Sequence, residues 1–147
     1  MKIAIASDHG GYHLKEHLKK YLLDKGIEVV DYGTDSEASV DYPDYAAKLC
    51  QGLKEGAAER GILVCGTGIG VSIAANKCPG IRAALCGDVF SAKMSREHNN
   101  ANVLCMGERV LGKGLAEMIT DTWLTTEFAG GRHERRVGKI MALENKK

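Results

Sequence analysis

The 147-residue sequence lacks the features that mark several large classes of protein. Its net charge is only +1, with 20 basic residues against 19 acidic ones, so bulk electrostatics do not favour DNA, RNA or an anionic membrane. No apolar run approaches the roughly 20 residues that a membrane span needs. The first residues enter a strand-like pattern at once, which leaves no room for a signal peptide. We therefore expect a cytoplasmic protein of ordinary globular composition.

The cysteines show no pairing pattern. They number five, which is odd, and none has CxxC spacing, so we expect reduced thiols and neither disulfides nor a zinc site. For four of them, which lie within apolar stretches, the simpler interpretation is a small buried hydrophobe. These four are Cys50, Cys78, Cys86 and Cys105. Cys65 differs because it borders a glycine-rich loop.

Short apolar runs alternate with amphipathic windows along the whole sequence. The runs predict five strands, at residues 3–6, 27–30, 62–65, 82–86 and 103–106. Gly26 and Pro79 mark helix ends, Pro43 marks a first helical turn, and the last apolar positions predict a C-terminal helix. Strand–helix alternation predicts one α/β domain over residues 1–147, with helices on both faces of a five-stranded parallel sheet in the order 2-1-3-4-5.

The active crevice of such a sheet lies at the carboxyl ends of the strands, where the strand order reverses. In the expected order, the reversal falls between the first and third strands. The loops at residues 7–11 and 65–70 follow these two strands and both contain glycines. We therefore expect them to be neighbours that join Asp8, His9 and Cys65 in one site.

The segment Cys65-Gly66-Thr67-Gly68-Ile69-Gly70 follows an apolar strand and opens a helix. Its glycines expose backbone N–H groups, an arrangement that suits an anion. It lacks the glycine at position 71 of a dinucleotide fingerprint, the Gly-Lys-Ser/Thr of a P-loop, and the arginine at position 71 of a phosphatase loop. Cys65 is therefore not expected to be a phosphoryl nucleophile. The alternative is a tight strand-to-helix turn without a ligand.

Two other motifs have both a structural and a functional interpretation. Asp8 either caps the following helix or belongs to a site opposite the glycine loop. His13 and His17 have the H-x-x-E-H spacing of some zinc proteases, but the segment is lysine-rich and lacks an obvious third ligand. A solvated helix face is therefore favoured for the two histidines.

Polar residues late in the sequence are similarly open to two interpretations. Arg132 and Arg136 are four residues apart, so they can clamp a phosphate from one helix face or simply form a solvated basic turn. His98 and Asn99 follow a predicted helix and are either site residues or a polar helix end.

Taken together, these segments resemble the ribose-5-phosphate isomerase B family, whose relatives include the galactose-6-phosphate isomerase subunits. The segments that carry the resemblance span nearly the whole sequence: residues 7–11, 41–43, 65–70, 97–102 and 107–109, with Arg132 and Arg136. The resemblance implies a Rossmann-like fold and a homodimer or dimer of dimers with sites at the subunit boundary. It also implies that the enzyme needs neither a metal nor an organic cofactor.

The resemblance also implies a role for each matching residue. Cys65 is the expected base that moves a proton between C2 and C1, while Thr67 and His98 assist opening of the furanose ring. Backbone N–H groups of the glycine loop are expected to hold the enediolate oxygen. The expected substrate-binding residues are Asp8, His9, Tyr42, Gly66, Gly68, Ile69, Gly70, Asn99, Arg109, Arg132 and Arg136.

Some members of this family use a glutamate after the glycine loop as the base. Here residues 71–74 contain no carboxylate, so the sequence fits the cysteine-type subgroup. The expected reaction interconverts D-ribose 5-phosphate and D-ribulose 5-phosphate through a cis-enediolate, in the non-oxidative branch of the pentose phosphate pathway. The alternatives are a six-carbon substrate, allose 6-phosphate or galactose 6-phosphate, and a non-catalytic sugar-phosphate-binding module.

Overall fold

Strands and helices alternate along the chain, as the hydrophobic pattern predicts. The structure, a computed structural model, describes residues 1–145, so the last two residues of the predicted domain lie outside it. The strands are β1 (Lys2–Ser7), β2 (Glu28–Asp31), β3 (Arg60–Cys65), β4 (Ala83–Leu85) and β5 (Val103–Gly107). The helices are α1 (Tyr12–Asp24), α2 (Tyr42–Lys54), α3 (Ile69–Asn76), α4 (Val89–Glu97), α5 (Lys113–Thr125) and α6 (Arg132–Ala142). Short 3-10 turns cover His9–Gly11 and Leu143–Asn145.

Glycine and proline end or begin the helices where the sequence predicts. Gly26 follows the end of α1 with a φ of 79°, a conformation that favours glycine over residues with a Cβ. Pro43 lies in the first turn of α2, where its missing N–H has no helical partner to lose. Helix α3 ends at Asn76, ahead of Pro79.

All four strand pairings are parallel, and the sheet order is β2-β1-β3-β5-β4. The predicted α/β fold is confirmed, but the last two strands stand in the opposite order from the predicted 2-1-3-4-5. Strand β5 is buried along its whole length and pairs with both β3 and β4. Strand β4 has only three residues, all at least partly exposed, which suits an edge position.

Two cores lie on the two faces of the sheet. Along β1, Ile3 and Ile5 face one core, whereas Ala4 and Ala6 face the other, as the two-residue period of a strand requires. The first core is completed mainly by α1 and α5, and the second by α2 and α3. None of the helices among residues 1–145 is both long enough and apolar enough to cross a bilayer.

Parallel pairing gives the sheet two chemically different edges. Ser7 pairs with Val64, and Cys65 pairs with Gly107, so β1, β3 and β5 end together at what we call the carboxyl edge. At the opposite, amino edge, Gly61 pairs with Val103. The connections that follow β1, β3 and β5 all leave from the carboxyl edge.

Candidate active site

Cys65 is the last residue of β3, and its side chain is almost completely buried, with 5% of the residue exposed. The Gly68 N–H donates to its Sγ atom at 3.2 Å. A backbone amide in this position stabilises negative charge on sulfur. The exposed Thr67 lies between these two residues, and its Oγ1 accepts from the Ile69 N–H at 3.2 Å.

The conformation of this loop requires glycine at position 68. Gly68 has a φ of 80°, and a Cβ there would lie 2.6 Å from Leu85 Cδ1 and 2.8 Å from the carbonyl carbon of Met106. The loop then runs directly into α3, whose first amides lack partners within the helix. The Gly70 N–H is one of these amides, so the loop combines a thiol with N–H groups suited to an anion.

The turn after β1 lies directly against this loop. Asp8 Oδ1 accepts from Gly10 N–H at 2.9 Å and from Gly11 N–H at 3.1 Å, which is the capping arrangement. A Cβ on Gly10 would lie 3.2 Å from the nitrogen of Gly66. The predicted proximity of the two glycine-bearing loops is therefore confirmed, and Asp8 is both a cap and a neighbour of the thiol loop.

His9 and Tyr42 form the next part of this edge. Nδ1 of His9 accepts the Val40 N–H at 3.1 Å, so the neutral ring carries its proton on Nε2. The ring of Tyr42 lies over Gly70, where a Cβ would approach Tyr42 Cε1 to 2.6 Å. Tyr42 thus forms a wall beside the glycine loop.

The loop after β5 fastens the thiol loop from the other side. Glu108 N–H donates to the carbonyl of Cys65 at 2.9 Å, and Arg109 N–H donates to the carbonyl of Gly66 at 3.0 Å. The Arg109 guanidinium also lies over Gly66, with Nη1 3.4 Å from the position of a Cβ. The Glu108 carboxylate accepts from Leu14 N–H at 2.6 Å and so links the loop to the start of α1. Glu108 received no role from the sequence, although it stands beside Arg109 in the family motif.

The remaining predicted residues lie elsewhere. His98 and Asn99 follow the end of α4, while Arg132 and Arg136 lie exposed in the first two turns of α6. The rings of His98 and His133 are stacked at a centroid distance of 4.1 Å, which places the start of α6 beside the end of α4.

His133 received no separate role from the sequence, where it was only one member of a basic turn. Burial lowers the pKa of His133 below its ordinary value, and the nearby positive charges of His98, Arg132 and Arg136 lower it further. The stacked pair thus lies in a positively charged region.

These residues belong to the amino edge of the sheet. The Asn102 carbonyl accepts from Gly61 N–H at 2.9 Å, at the start of β3, whereas Cys65 is at its end. Four strand steps, about 13 Å in all, separate Val103 from Gly107, the residue paired with Cys65. His98 comes shortly before Val103 and lies with it at the amino edge, whereas Cys65 lies at the carboxyl edge. A single chain therefore places its two groups of predicted site residues at opposite edges.

Two cavities of the single chain lie away from the thiol. A cavity of about 880 Å³ runs along α2, and another of about 790 Å³ lies between α3 and α6 and includes Asn99. Cys65 lines neither of them. The exposed Thr67 and Ile69 show that the thiol loop is open on one side.

The histidines with zinc-protease spacing point to separate acids. His13 Nε2 contacts Glu37, and His17 Nε2 lies 2.7 Å from a carboxylate oxygen of Glu117. Across residues 1–145, no group of three or more histidine, cysteine, aspartate or glutamate side chains is arranged to hold a metal ion.

A buried thiol beside backbone N–H groups, at the point where a parallel sheet reverses its order, is typical of a class of enzymes that stabilise an anionic intermediate. The family to which the chain belongs agrees with this class. The sequence model of the Ribose/Galactose Isomerase family matches residues 3–140, so the chain is a member of that family.

Individual relatives cover nearly the full chain. Ribose-5-phosphate isomerase B of Escherichia coli (strain K12) is 48% identical over 99% of this chain and 98% of its own. The structure of ribose-5-phosphate isomerase B from Clostridium thermocellum has a TM-score of 0.98 at 57% identity, with 99% of each chain covered. The Mycoplasma genitalium enzyme, with bound ribulose 5-phosphate, has a TM-score of 0.94 at 42% identity and covers 99% of this chain and 97% of that one.

Proposed function

We propose that this protein interconverts D-ribose 5-phosphate and D-ribulose 5-phosphate. The observation that carries the proposal is the buried Cys65 thiol beside backbone N–H donors, in a member of the ribose/galactose isomerase family. The Escherichia coli and Clostridium thermocellum relatives bear the name ribose-5-phosphate isomerase B, which favours the five-carbon substrate over a six-carbon one. Five free cysteines suit a reducing compartment, so we place the enzyme in the cytoplasm.

The chemical step is a proton transfer between two carbons of the open-chain sugar. The Cys65 thiolate removes a proton from C2 of the aldose and returns it to C1, by way of a cis-enediolate. The Gly68 N–H donates to the sulfur of Cys65. The other N–H groups of the loop, including those of Gly66 and Gly70, hold the enediolate oxygen. Both stabilising interactions come from one loop whose conformation the glycines fix.

The aldose must first open its furanose ring, and this step needs a second group near C1. The ring oxygen is bonded to C1, so the ring-opening acid and the proton-transferring base must act on neighbouring atoms. His98 is the group proposed for ring opening, with Thr67 assisting, yet one chain holds His98 and Cys65 at opposite edges of the sheet. The proposed roles are compatible only if the two groups come from different copies of the chain.

We therefore propose a homodimer in which each site combines the carboxyl edge of one copy with the amino edge of the other. From the first copy come Cys65, Asp8, His9, Tyr42, Arg109 and the N–H groups of residues 66–70. From the second copy come His98 and Asn99, which contact the sugar, and Arg132 and Arg136, which hold the phosphate. A second copy also closes the open side of the thiol loop and excludes water from the intermediate.

The exposed apolar residues support this association. Helix α6 carries Ile140 with 46% of its surface exposed, and Leu143 just beyond it is 60% exposed. At the other edge, Ile69, Phe90 and Val110 are between half and three-quarters exposed. Large exposed apolar residues at both edges indicate an interaction surface, and packing of one edge against the other brings the arginines of α6 to the thiol loop.

The proposal is tested by assaying the purified enzyme on ribose 5-phosphate, allose 6-phosphate and galactose 6-phosphate. We expect the largest kcat/KM on the five-carbon sugar and incorporation of deuterium at the reacting carbon in D2O. Cys65→Ala should abolish both turnover and deuterium exchange while the protein still binds the sugar phosphate. Full activity in Cys65→Ala would refute the role of the thiol. A higher kcat/KM on a six-carbon sugar phosphate would show that this sugar, and not ribose 5-phosphate, is the substrate. Sugar-phosphate binding without turnover in the unmodified enzyme would indicate a binding module.

A further inference from the structure

Arg96 lies in the last turn of α4, two residues before His98, and its side chain is almost fully buried. Its guanidinium points at the turn that follows the helix. Nη1 donates to Asn100 Oδ1 at 2.9 Å and to the carbonyl of Ala101 at 2.7 Å. Nε also approaches the carbonyl of Thr126 at 3.4 Å. One arginine therefore links both ends of the turn to the segment after α5.

Burying this cation is unfavourable. The pKa of Arg96 is lowered to about 10, mainly by burial and further by the positive charges of Arg60 and Arg82. Within residues 1–145, no carboxylate lies within 4 Å of the guanidinium, so its direct partners are neutral oxygens, and Glu127 compensates its charge only from a greater distance. A buried charge without a directly paired carboxylate is expensive, and a hydrophobic residue would fill the same space more favourably. The hydrogen bonds to the turn are what arginine supplies and a hydrophobic residue does not.

The turn itself adopts an unusual conformation for its sequence. Asn100 has a φ of 48°, and the amides of Asn100 and Ala101 donate to the carbonyls of Arg96 and Ser95. This pattern ends a helix with a left-handed residue, a position that glycine usually occupies. Here an asparagine side chain is present and accepts from Arg96, while the Arg82 guanidinium binds the backbone carbonyl of Asn100 at 2.9 Å. Two arginines therefore hold the backbone that carries His98 and Asn99.

We propose that Arg96 is a positioning residue that fixes the turn carrying His98 and Asn99, so that His98 reaches the ring oxygen of a substrate bound at the Cys65 loop of a second copy. The inference rests on the proposed function and adds to it a residue that does not touch the sugar. An error of about 1 Å in the placement of a reacting group reduces turnover by about a hundredfold. Loosening the turn therefore impairs ring opening specifically.

The two directions of the reaction separate ring opening from proton transfer. Ribulose 5-phosphate has its C5 oxygen blocked by phosphate, so it cannot close a five-membered ring and enters the site already open. Exchange of its C1 hydrogen with D2O, followed by NMR, requires the thiol loop but not ring opening. For Arg96→Met we expect kcat on ribose 5-phosphate to fall by about ten- to a hundredfold, while the exchange rate of ribulose 5-phosphate stays near that of the unmodified enzyme.

Two further variants keep the test decisive. Asn100→Gly retains the left-handed backbone but removes one of the three acceptors of Arg96, the Asn100 side chain. It should therefore also lower kcat on ribose 5-phosphate more than the exchange rate of ribulose 5-phosphate, though to a smaller extent, even if Arg96→Met does not fold. Arg60→Met is the control, because Arg60 is a partly buried arginine that donates to the Trp123 carbonyl at 3.1 Å and makes no hydrogen bond to the turn. We expect no split between the two rates in the control.

His98→Asn distinguishes failure of this inference from failure of the proposed function. One result overturns the positioning role of Arg96 while the role of His98 stands. In that result His98→Asn lowers kcat on ribose 5-phosphate more than the exchange rate of ribulose 5-phosphate, and neither Arg96→Met nor Asn100→Gly does so. If His98→Asn itself shows no split, the proposed ring-opening role of His98 is overturned, and the inference goes with it. An equal loss of both rates in Asn100→Gly would reduce Arg96 to a structural residue and also overturn the inference.

Discussion

Replacing Gly68 with alanine tests whether the shape of the thiol loop is required for activity. The backbone at this position has a φ of 80°, which costs an L-residue roughly 1–2 kcal/mol. The new Cβ would also lie 2.8 Å from the carbonyl carbon of Met106, which belongs to the buried β5 and cannot easily move. Overpacking of this kind costs about 1–3 kcal/mol. We expect Gly68→Ala to lower the free energy of unfolding by about 2–5 kcal/mol, measured by urea denaturation.

The same substitution should impair catalysis, because a displaced loop loses the 3.2 Å hydrogen bond from Gly68 N–H to the thiol. Loss of one donor to a developing charge reduces kcat by about a hundredfold. Gly66→Ala is the matched control in the same loop. Its Cβ would meet only the flexible end of Arg109 at 3.4 Å, so its free energy of unfolding should stay within about 0.5 kcal/mol of the original. An equal free energy of unfolding in the two variants would show that the loop does not require glycine at position 68.

The remaining predictions concern the phosphate clamp and a buried ion pair. Arg132→Ala should raise KM for the sugar phosphate with little change in kcat, whereas Arg135→Ala, its exposed neighbour, should leave steady-state kinetics unchanged. Asp31→Asn leaves the fully buried Lys15 without its 2.8 Å partner and should reduce the free energy of unfolding by about 3 kcal/mol at pH 7. Burial raises the pKa of Asp31. Hydrogen bonds from Lys15 and from the Gly33 amide lower this pKa by more, so it lies below 3.8. The stabilisation from this ion pair is therefore present above pH 3.8 and is lost as the pH falls through the lower pKa of the folded state. Urea denaturation at pH 7 and pH 3 should show that the free energy of unfolding depends less on pH in Asp31→Asn than in the unmodified protein.

Much of the fold follows from hydrophobic periodicity, but the order of the last two strands does not. Alternation of strands and helices predicts parallel pairing without saying which strand lies inside the sheet. The continuous apolar run at residues 103–106 was the available signal for an interior β5. The brevity of β4, which suits an edge position, appears only in the structure, because the sequence predicts a strand over residues 82–86. The correction affects the site, because it brings Arg109 directly beside the Cys65 loop, with β5 rather than β4 next to β3.

The candidate site, like the fold, could be predicted only in part from the sequence. The switch point between β1 and β3 places Asp8 beside the thiol loop whatever the order of the outer strands. Parallel topology also returns the end of α4 to the amino edge, so the distance of His98 from Cys65 follows once the elements are known. The Arg96 contacts depend on how side chains from separate elements meet across the core, which no local sequence pattern specifies.

A purified heterodimer of two variants tests whether each active site is shared between two copies of the chain. One copy carries Cys65→Ala and the other carries His98→Asn, and two different affinity tags isolate the mixed species. In a shared-site dimer one site loses both altered groups together, while the other is intact, so we expect about half of the original activity per dimer. The control pairs Cys65→Ala with Asp8→Ala, both at the carboxyl edge, and should remain inactive. No activity in the first heterodimer, once its composition is verified, would show that the sites are not shared.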